Sequence, residues 1–164
     1  MDRTLVCRIP SAAAMEALGA AIATCCRGGE AIYLEGALGA GKTTLVRGLL
    51  RALGHEGRVK SPTYTLVESY HPAGMWVHHF DLYRLSSPGE LVYLGVEECF
   101  DGHAICLVEW PERGGTHLPR GDLALSLQYE APTGTSAGRR VRFQSLSPVG
   151  QGLIRCLASH GYGI

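Results

Sequence analysis

Eight consecutive residues in the first third of the chain have the types and spacing of a phosphate-binding loop. Residues 36–43 read GALGAGKT and match the pattern G-x-x-x-x-G-K-[ST] at every fixed position. Glycines allow the backbone to curl so that successive N–H groups point at anionic oxygens, and the following helix presents its positive N-terminal end. The pattern therefore predicts a P-loop, or Walker A motif, that binds ATP.

Two side chains of this loop are expected to contact the nucleotide and its metal ion. The ammonium group of Lys42 would reach the β- and γ-phosphates, and the hydroxyl of Thr43 would bind Mg²⁺, which prefers hard oxygen ligands. An apolar strand before the loop and a proline-free helix after it favour this interpretation over a glycine-rich turn with a solvated lysine. The other expected nucleotide-binding positions in the loop are Gly36, Leu38, Gly39, Ala40, Gly41 and Thr44.

Two carboxylates at the ends of apolar runs are the candidates for chemistry on the γ-phosphate. Asp81 follows residues 76–80, and Glu109 follows residues 105–108, a short apolar run that is typical of a Walker B strand. The water shell of Mg²⁺ and the attacking water both need negative acceptors. Either carboxylate could hold the metal shell while the other orients the water. Both are therefore predicted as catalytic residues and, together with Thr43, as metal-binding residues.

Thr63 and Trp110 are expected near the nucleotide for weaker reasons. Thr63 ends the Ser-Pro-Thr segment of residues 61–63, which follows the P-loop helix where nucleotide-sensing segments commonly lie. Its hydroxyl could sense the γ-phosphate or the metal, although a plain Ser-Pro turn is nearly as well supported. Trp110 directly follows Glu109 and is either a neighbour of the nucleotide or part of a packed corner.

The remaining metal-binding residue types do not form a recognisable ligand set. His79 shares a strand face with Asp81, but without a second ligand pair a hydrogen-bonded or solvent-facing histidine is favoured over a transition-metal ligand. The six cysteines include no C-x-x-C pair, which argues against a zinc knuckle or a redox motif. We therefore expect buried free thiols.

The elements that would position these residues alternate between strands and helices. Predicted strands cover residues 4–9, 31–35, 65–70, 76–83, 104–110, 123–129 and 140–146, and the third and fourth of these predict an antiparallel hairpin. Predicted helices cover a segment that Ser11 caps and that ends near residue 26, and then residues 42–53, 88–94 and 149–160. Residues 111–121 and 132–138 are predicted as loop or turn.

This order of elements predicts an α/β fold. We expect a P-loop NTPase-like three-layer sandwich whose mixed sheet has parallel strands in the centre and antiparallel strands at the margins. Strand order cannot be read from this pattern.

Length and composition indicate one folded domain over residues 1–164. Of these residues, 46% are hydrophobic and 18% are charged, which is typical of compact domains. The 15 basic residues balance 15 acidic residues, so the chain lacks the basic excess that drives unaided binding of nucleic acid. No apolar stretch approaches the roughly 18 residues of a membrane span, and the N-terminus lacks an apolar signal core. We therefore expect a cytoplasmic location and no membrane partner.

Several segments, taken together and in order, resemble the TsaE family, formerly called YjeE. They are residues 36–48 (GALGAGKTTLVRG), 59–70 (VKSPTYTLVESY), 78–85 (HHFDLYRL) and 108–112 (VEWPE), with the spacing of Glu90-Leu91 and Gly95. The resemblance spans about residues 5–130. Ala37 departs from the family, which often has an acidic residue there, but little effect is expected because the loop acts through its backbone.

The resemblance implies a bacterial ATPase that binds ATP and Mg²⁺ and assists TsaB and TsaD. That complex forms N6-threonylcarbamoyladenosine at position 37 of tRNA, and the ATPase would reach tRNA only indirectly and would not transfer the carbamoyl group. In such a protein Lys42 and Thr43 serve the nucleotide and the metal, while Asp81 and Glu109 are the acidic functional positions. The 61–63 segment would act as a switch, and Trp110 would lie near the nucleotide.

The sequence leaves alternative functions open. A small-molecule kinase would use the same loop, although Arg139-Arg140 is the only adjacent arginine pair and no clear lid segment is present. An ATP-binding switch module with little hydrolysis is the second alternative, and the lack of an Asn-Lys-x-Asp segment disfavours a GTPase. Arg84 is the nearest candidate for an arginine finger, but an arginine after a strand is more often a surface residue. We therefore expect slow hydrolysis alone and faster hydrolysis with partners.

Overall fold

Strands and helices alternate along the chain in the computed structural model, which describes residues 3–130 and 138–163. The strands are β1 Thr4–Ile9, β2 Ala31–Gly36, β3 Val67–Tyr70, β4 Val77–Asp81, β5 Ile105–Glu109, β6 Leu123–Tyr129 and β7 Arg139–Ser145. The helices are α1 Ala12–Cys25, α2 Lys42–Ala52, α3 Glu90–Tyr93, α4 Val96–Cys99 and α5 Pro148–Ser159, with 3₁₀ turns at Pro72–Gly74 and Pro111–His117. Among the described residues, no helix is both long enough and apolar enough to cross a membrane.

The strands form one mixed sheet in the order β1-β7-β6-β2-β5-β4-β3. The central strand β2 is parallel to both of its neighbours, β5 and β6, and β4 is parallel to β5. At the margins β1 and β6 are antiparallel to β7, and β3 is antiparallel to β4, which confirms the predicted hairpin. The predicted α/β fold, with its parallel centre and antiparallel margins, is therefore confirmed.

Two hydrophobic clusters lie on opposite faces of this sheet. Successive residues of a strand point to opposite faces, and Ile32 and Leu34 of β2 belong to one cluster while Ala31 and Tyr33 belong to the other. The first cluster contains the buried residues of α1, α2 and α5, and the second contains Leu91 of α3 and the adjoining segments. The sheet and the segments packed on its two faces are therefore the three layers of the sandwich.

Close packing of α1 against α2 fixes the helix that begins at the glycine-rich loop. A Cβ atom at Gly19 would lie 2.1 Å from the carbonyl oxygen of Leu45, and one at Gly48 would lie 2.1 Å from that of Glu16. Both positions therefore require glycine for the two backbones to approach. Ser11 caps α1 as predicted, because its Oγ accepts a hydrogen bond from the Ala14 N–H at 3.1 Å.

Several predicted boundaries differ from the structure. The helix expected over residues 88–94 is confined to α3, and a second short helix, α4, follows it because Gly95 adopts a left-handed backbone with φ of 69°. The loop expected over residues 111–121 contains the 3₁₀ turn Pro111–His117. The turn predicted for residues 132–138 lies, apart from Gly138, outside the described residues.

The expectation of free thiols is wrong for two of the six cysteines. Cys25 at the end of α1 forms a disulfide with Cys156 in α5, although 131 positions separate them in sequence. No local spacing signals this pair, because tertiary packing alone brings the two helices together. The free cysteines among the described residues are Cys7, Cys26, Cys99 and Cys106.

The disulfide is expected to stabilise the oxidised protein. A bridge that closes so long a loop typically contributes about 2–4 kcal/mol, so Cys25→Ser should lower the unfolding temperature of the oxidised protein by several degrees. Thermal unfolding with and without dithiothreitol measures this, and reductant should bring the wild type close to the variant. Cys26→Ser, which changes the adjacent free thiol, should keep the sensitivity to reductant. A wild type that reductant leaves unchanged would contradict the expected contribution.

Candidate functional site

The glycine-rich loop connects the end of β2 to the start of α2 at the carboxyl edge of the parallel strands. Gly39 and Gly41 adopt φ angles of 79° and 110°, a left-handed region that side chains with a Cβ rarely enter. A Cβ atom at Gly41 would also lie only 3.1 Å from Cε of Met15 in α1. The path of the loop therefore depends on glycine at these two positions.

Residues from β6 and β7 hold the loop from its outer side. The Arg139 guanidinium donates to the carbonyl oxygens of Gly39 and Ala40, each at 3.1 Å, and it lies 4.1 Å from the ring centre of Tyr129. The Tyr129 hydroxyl donates to the carbonyl oxygen of Leu38 at 3.0 Å. These contacts orient loop carbonyls outward and were not predicted, because they join residues about 100 positions apart in sequence.

Lys42 lies at the first position of α2 and is only 4% exposed. Its ammonium group donates to the carbonyl oxygens of Gly36 and, at 3.0 Å, Ala37, and it lies 4.4 Å from the ring centre of Trp110. Burial lowers the pKa of Lys42, while the neighbouring carboxylates, Glu109 first among them, raise it. A buried cation held by two carbonyl oxygens is well suited to exchange them for phosphate oxygens.

Glu109 and Asp81 lie side by side in the sheet. They are directly paired at the ends of the parallel strands β5 and β4 and are 3% and 4% exposed. Oε2 of Glu109 accepts a hydrogen bond from the Thr43 hydroxyl at 3.0 Å and lies 2.6 Å from Nε2 of His79, within hydrogen-bond distance. Glu109 is thus in direct contact with the Thr43 hydroxyl, which the motif predicts as a ligand of Mg²⁺.

Asp81 contacts the 61–63 segment. Its Oδ2 accepts a hydrogen bond from the Ser61 hydroxyl and lies 3.5 Å from that of Thr63, while its Oδ1 accepts from the Tyr83 N–H at 3.0 Å. The segment that was predicted to sense the nucleotide therefore rests on one of the two carboxylates. A change in the surroundings of Asp81 would reach the segment directly.

Trp110 has the most unusual backbone of the site. Its φ of 58° is rare for a residue other than glycine, and such strain is found preferentially at functional sites. The indole packs against the Tyr83 ring with the ring centres 4.9 Å apart, and it covers the Lys42 ammonium group. Trp110 is thus a wall of the site and not only a packed corner.

A cavity of about 410 Å³ joins these groups. The predicted site residues that line it are Leu38, Gly39, Gly41, Lys42, Thr43, Thr44, Thr63, Asp81, Glu109 and Trp110. Gly36 and Ala40 do not line this cavity. The carbonyl oxygen of Gly36 instead accepts a hydrogen bond from Lys42, and Ala40 is only 1% exposed. A larger cavity of about 560 Å³ over β1, β6 and β7 contains none of the predicted residues.

The donors around the 410 Å³ cavity fit a magnesium nucleotide. Oxygen atoms of Thr43, Asp81 and Glu109 line the cavity, and Mg²⁺ prefers such ligands. The buried ammonium group of Lys42 and the N-terminus of α2 also lie at the cavity, and both suit phosphate. The volume of the cavity is also in the range of small-molecule sites.

The fold and the site define an α/β protein with a mixed sheet whose glycine-rich strand-to-helix loop faces two strand-end carboxylates. Within that class, the model of the family described as threonylcarbamoyl adenosine biosynthesis protein TsaE matches residues 9–140, and the chain belongs to this family. The resemblance that the motifs indicated is confirmed.

Individual relatives agree with this assignment. The tRNA threonylcarbamoyladenosine biosynthesis protein TsaE of Haemophilus influenzae is 54% identical over 98 residues, which cover 60% of this chain and 62% of that protein. The protein of the same name from Treponema pallidum is 40% identical over 103 residues, or 63% of this chain and 76% of that protein. The crystal structure of Bacillus subtilis YdiB superimposes with a TM-score of 0.83 at 27% identity and covers 98% of both chains.

Proposed function

We propose that this chain is a Mg²⁺-dependent ATPase that assists a TsaB–TsaD complex in forming N6-threonylcarbamoyladenosine at position 37 of tRNA. The observation that carries the proposal is the convergence of Lys42, Thr43 and two strand-end carboxylates on one cavity in a member of the TsaE family. The names of the relatives in Haemophilus influenzae and Treponema pallidum support the link to this tRNA modification.

The loop would bind the phosphates of ATP. Lys42 would give up the carbonyl oxygens of Gly36 and Ala37 in favour of the β- and γ-phosphates, and backbone N–H groups of the loop would surround them. The Arg139 and Tyr129 contacts support this role because they occupy loop carbonyls on the outer side. A bound Mg²⁺ would neutralise the charge that develops on the transferring phosphoryl group.

The two carboxylates would divide the remaining work. Glu109 has only one oxygen, Oε2, in hydrogen bonds with described residues, which leaves Oε1 to accept a hydrogen bond from water. We assign Glu109 to the orientation and deprotonation of the attacking water. Asp81 would accept from the metal shell on one side while it holds Ser61 and Thr63 on the other, and it would transmit nucleotide state to the 61–63 segment.

The position of Arg84 supports the proposal that the isolated chain hydrolyses ATP slowly. Among the residues that line the cavity, Arg84 is the only arginine, and its guanidinium lies 4.8 Å from the ring centre of Tyr64. Tyr64 is 84% exposed, so a docking partner could displace it and release the guanidinium. An arginine supplied to such a site, from this chain or from a partner, stabilises the transition state of phosphoryl transfer.

Addition of TsaB–TsaD should raise the rate of ATP hydrolysis about tenfold or more. Steady-state phosphate release by the isolated chain and by the reconstituted complex measures this, with a tRNA titration at physiological salt beside it. The isolated chain should bind tRNA weakly because its 15 basic and 15 acidic residues balance. Fast hydrolysis that the partners leave unchanged would argue for a free-standing ATPase or a kinase. Binding without turnover in either state would argue for a switch module.

A further inference from the structure

His79 is a fully buried histidine beside the proposed water-orienting carboxylate. It lies at the centre of β4, has 0% exposure, and its Nε2 is 2.6 Å from Oε2 of Glu109. Val77, two residues earlier on the same strand face, packs in the hydrophobic cluster that contains Leu49 of α2. The imidazole is therefore enclosed between the sheet and α2, with Glu109 as its hydrogen-bond partner.

The proton of His79 can be assigned from its two nitrogen atoms. An ionised carboxylate only accepts hydrogen bonds, so Nε2 must carry the hydrogen that Glu109 accepts. Nδ1 is buried and has no hydrogen-bond partner among the described residues. The contact with Glu109 therefore places hydrogen on Nε2.

Apolar packing alone does not require a histidine at this position. A leucine would fill a similar volume and would remove the unpaired Nδ1 from the core, but it would leave the buried Oε2 of Glu109 without one of its donors. The polar contact that histidine provides there is the hydrogen bond to Glu109. What His79 adds at this position is therefore a hydrogen bond that can orient the Glu109 carboxylate.

The geometry points to His79 as a positioning residue that fixes Glu109 through Oε2 and keeps Oε1 available to water. Thr43 now donates to the same Oε2, but its hydroxyl is also the proposed ligand of Mg²⁺. When Thr43 turns to the metal, His79 remains as the donor that holds the carboxylate. The role rests on the proposed ATPase function.

Three substitutions separate this role from a purely structural one. In His79→Gln the amide nitrogen lies as far along the side chain as Nε2 and can still donate to Glu109. In His79→Asn the amide nitrogen corresponds to Nδ1 and falls short of the carboxylate, although the residue is equally polar and uncharged. His79→Leu removes the donor and keeps the volume. The comparison of the Gln variant with the Asn variant changes the reach of the donor and leaves the net charge unchanged.

The expected results concern kcat in the complex with TsaB and TsaD. His79→Asn and His79→Leu should lower kcat about tenfold, as is common when the partner of an active-site ligand is lost, while His79→Gln should stay within about threefold of the wild type. The KM for ATP should change less than about twofold in all three, because Lys42 and the loop are untouched. Equal kcat values for the Asn, Leu and wild-type proteins, or a loss that Gln shares in full, would overturn the assignment.

A measurement without turnover tests the same contact. The two-bond ¹⁵N–¹H spectrum of the isolated wild-type chain should show hydrogen on Nε2 of His79. Hydrogen on Nδ1 instead would overturn the inference even if the complex hydrolyses ATP. If the wild-type complex does not hydrolyse ATP, the proposed function fails, and this spectrum still decides whether His79 donates to Glu109.

Discussion

Glu109→Gln should lower ATP hydrolysis by the TsaB–TsaD complex about 100-fold or more, within the range usual for loss of a general base. The amide preserves the shape of the side chain and can still accept the hydrogen bonds that Thr43 and His79 donate to Oε2. It cannot take a proton from water, and it carries no negative charge. ATP affinity, measured by calorimetry with a nonhydrolysable analogue, should change less than about threefold because the loop and Lys42 are retained.

Glu112→Gln is the matched control for this substitution. Glu112 is exposed, is the second residue of the 3₁₀ turn that follows Trp110, and does not line the cavity, yet it also raises the pKa of Lys42. Glu112→Gln therefore removes one negative charge near Lys42 but keeps Glu109, the proposed base. Its turnover should remain close to that of the wild type. If Glu109→Gln keeps full turnover while Asp81→Asn abolishes it, the two carboxylates have the opposite roles.

The parts of the fold that the sequence predicted are those that depend on local patterns. The short apolar run of β5, the glycine-rich turn after β2 and the Ser11 cap of α1 are each encoded within a few residues. Strand order is not local, since β1 pairs with β7 across almost the whole chain. The Cys25–Cys156 disulfide was missed for the same reason.

The candidate site shows the same division. The loop was recognisable from its own residues, and Asp81 and Glu109 were candidates because each ends an apolar run. The contacts of Arg139 with the loop and of His79 with Glu109 were not predicted, since each joins segments that only the folded sheet brings together. For His79 a signal existed, because its place two residues before Asp81 puts both on one strand face. That spacing could not identify Glu109 as its partner.

Lys42→Ala should weaken ATP binding about 100-fold, the effect expected when a charge-assisted hydrogen bond to phosphate is removed. Because Lys42 is 4% exposed and packs against Trp110, Lys42→Met is a necessary companion: it keeps the apolar stem and removes only the charge. Both variants should lose similar affinity in calorimetric titrations with a nonhydrolysable ATP analogue. Their unfolding temperatures should stay near that of the wild type, since removing a buried cation relieves its desolvation.

Lys60→Ala is the control for a general loss of positive charge. Lys60 is the only other lysine of the chain, is exposed, and does not line the cavity, so its removal should change ATP affinity less than about threefold. Affinity that is unchanged in Lys42→Ala and Lys42→Met, with the fold intact by circular dichroism, would show that the loop does not bind phosphate through this residue. A loss in Lys42→Ala that Lys42→Met restores would assign the effect to packing against Trp110 and not to charge.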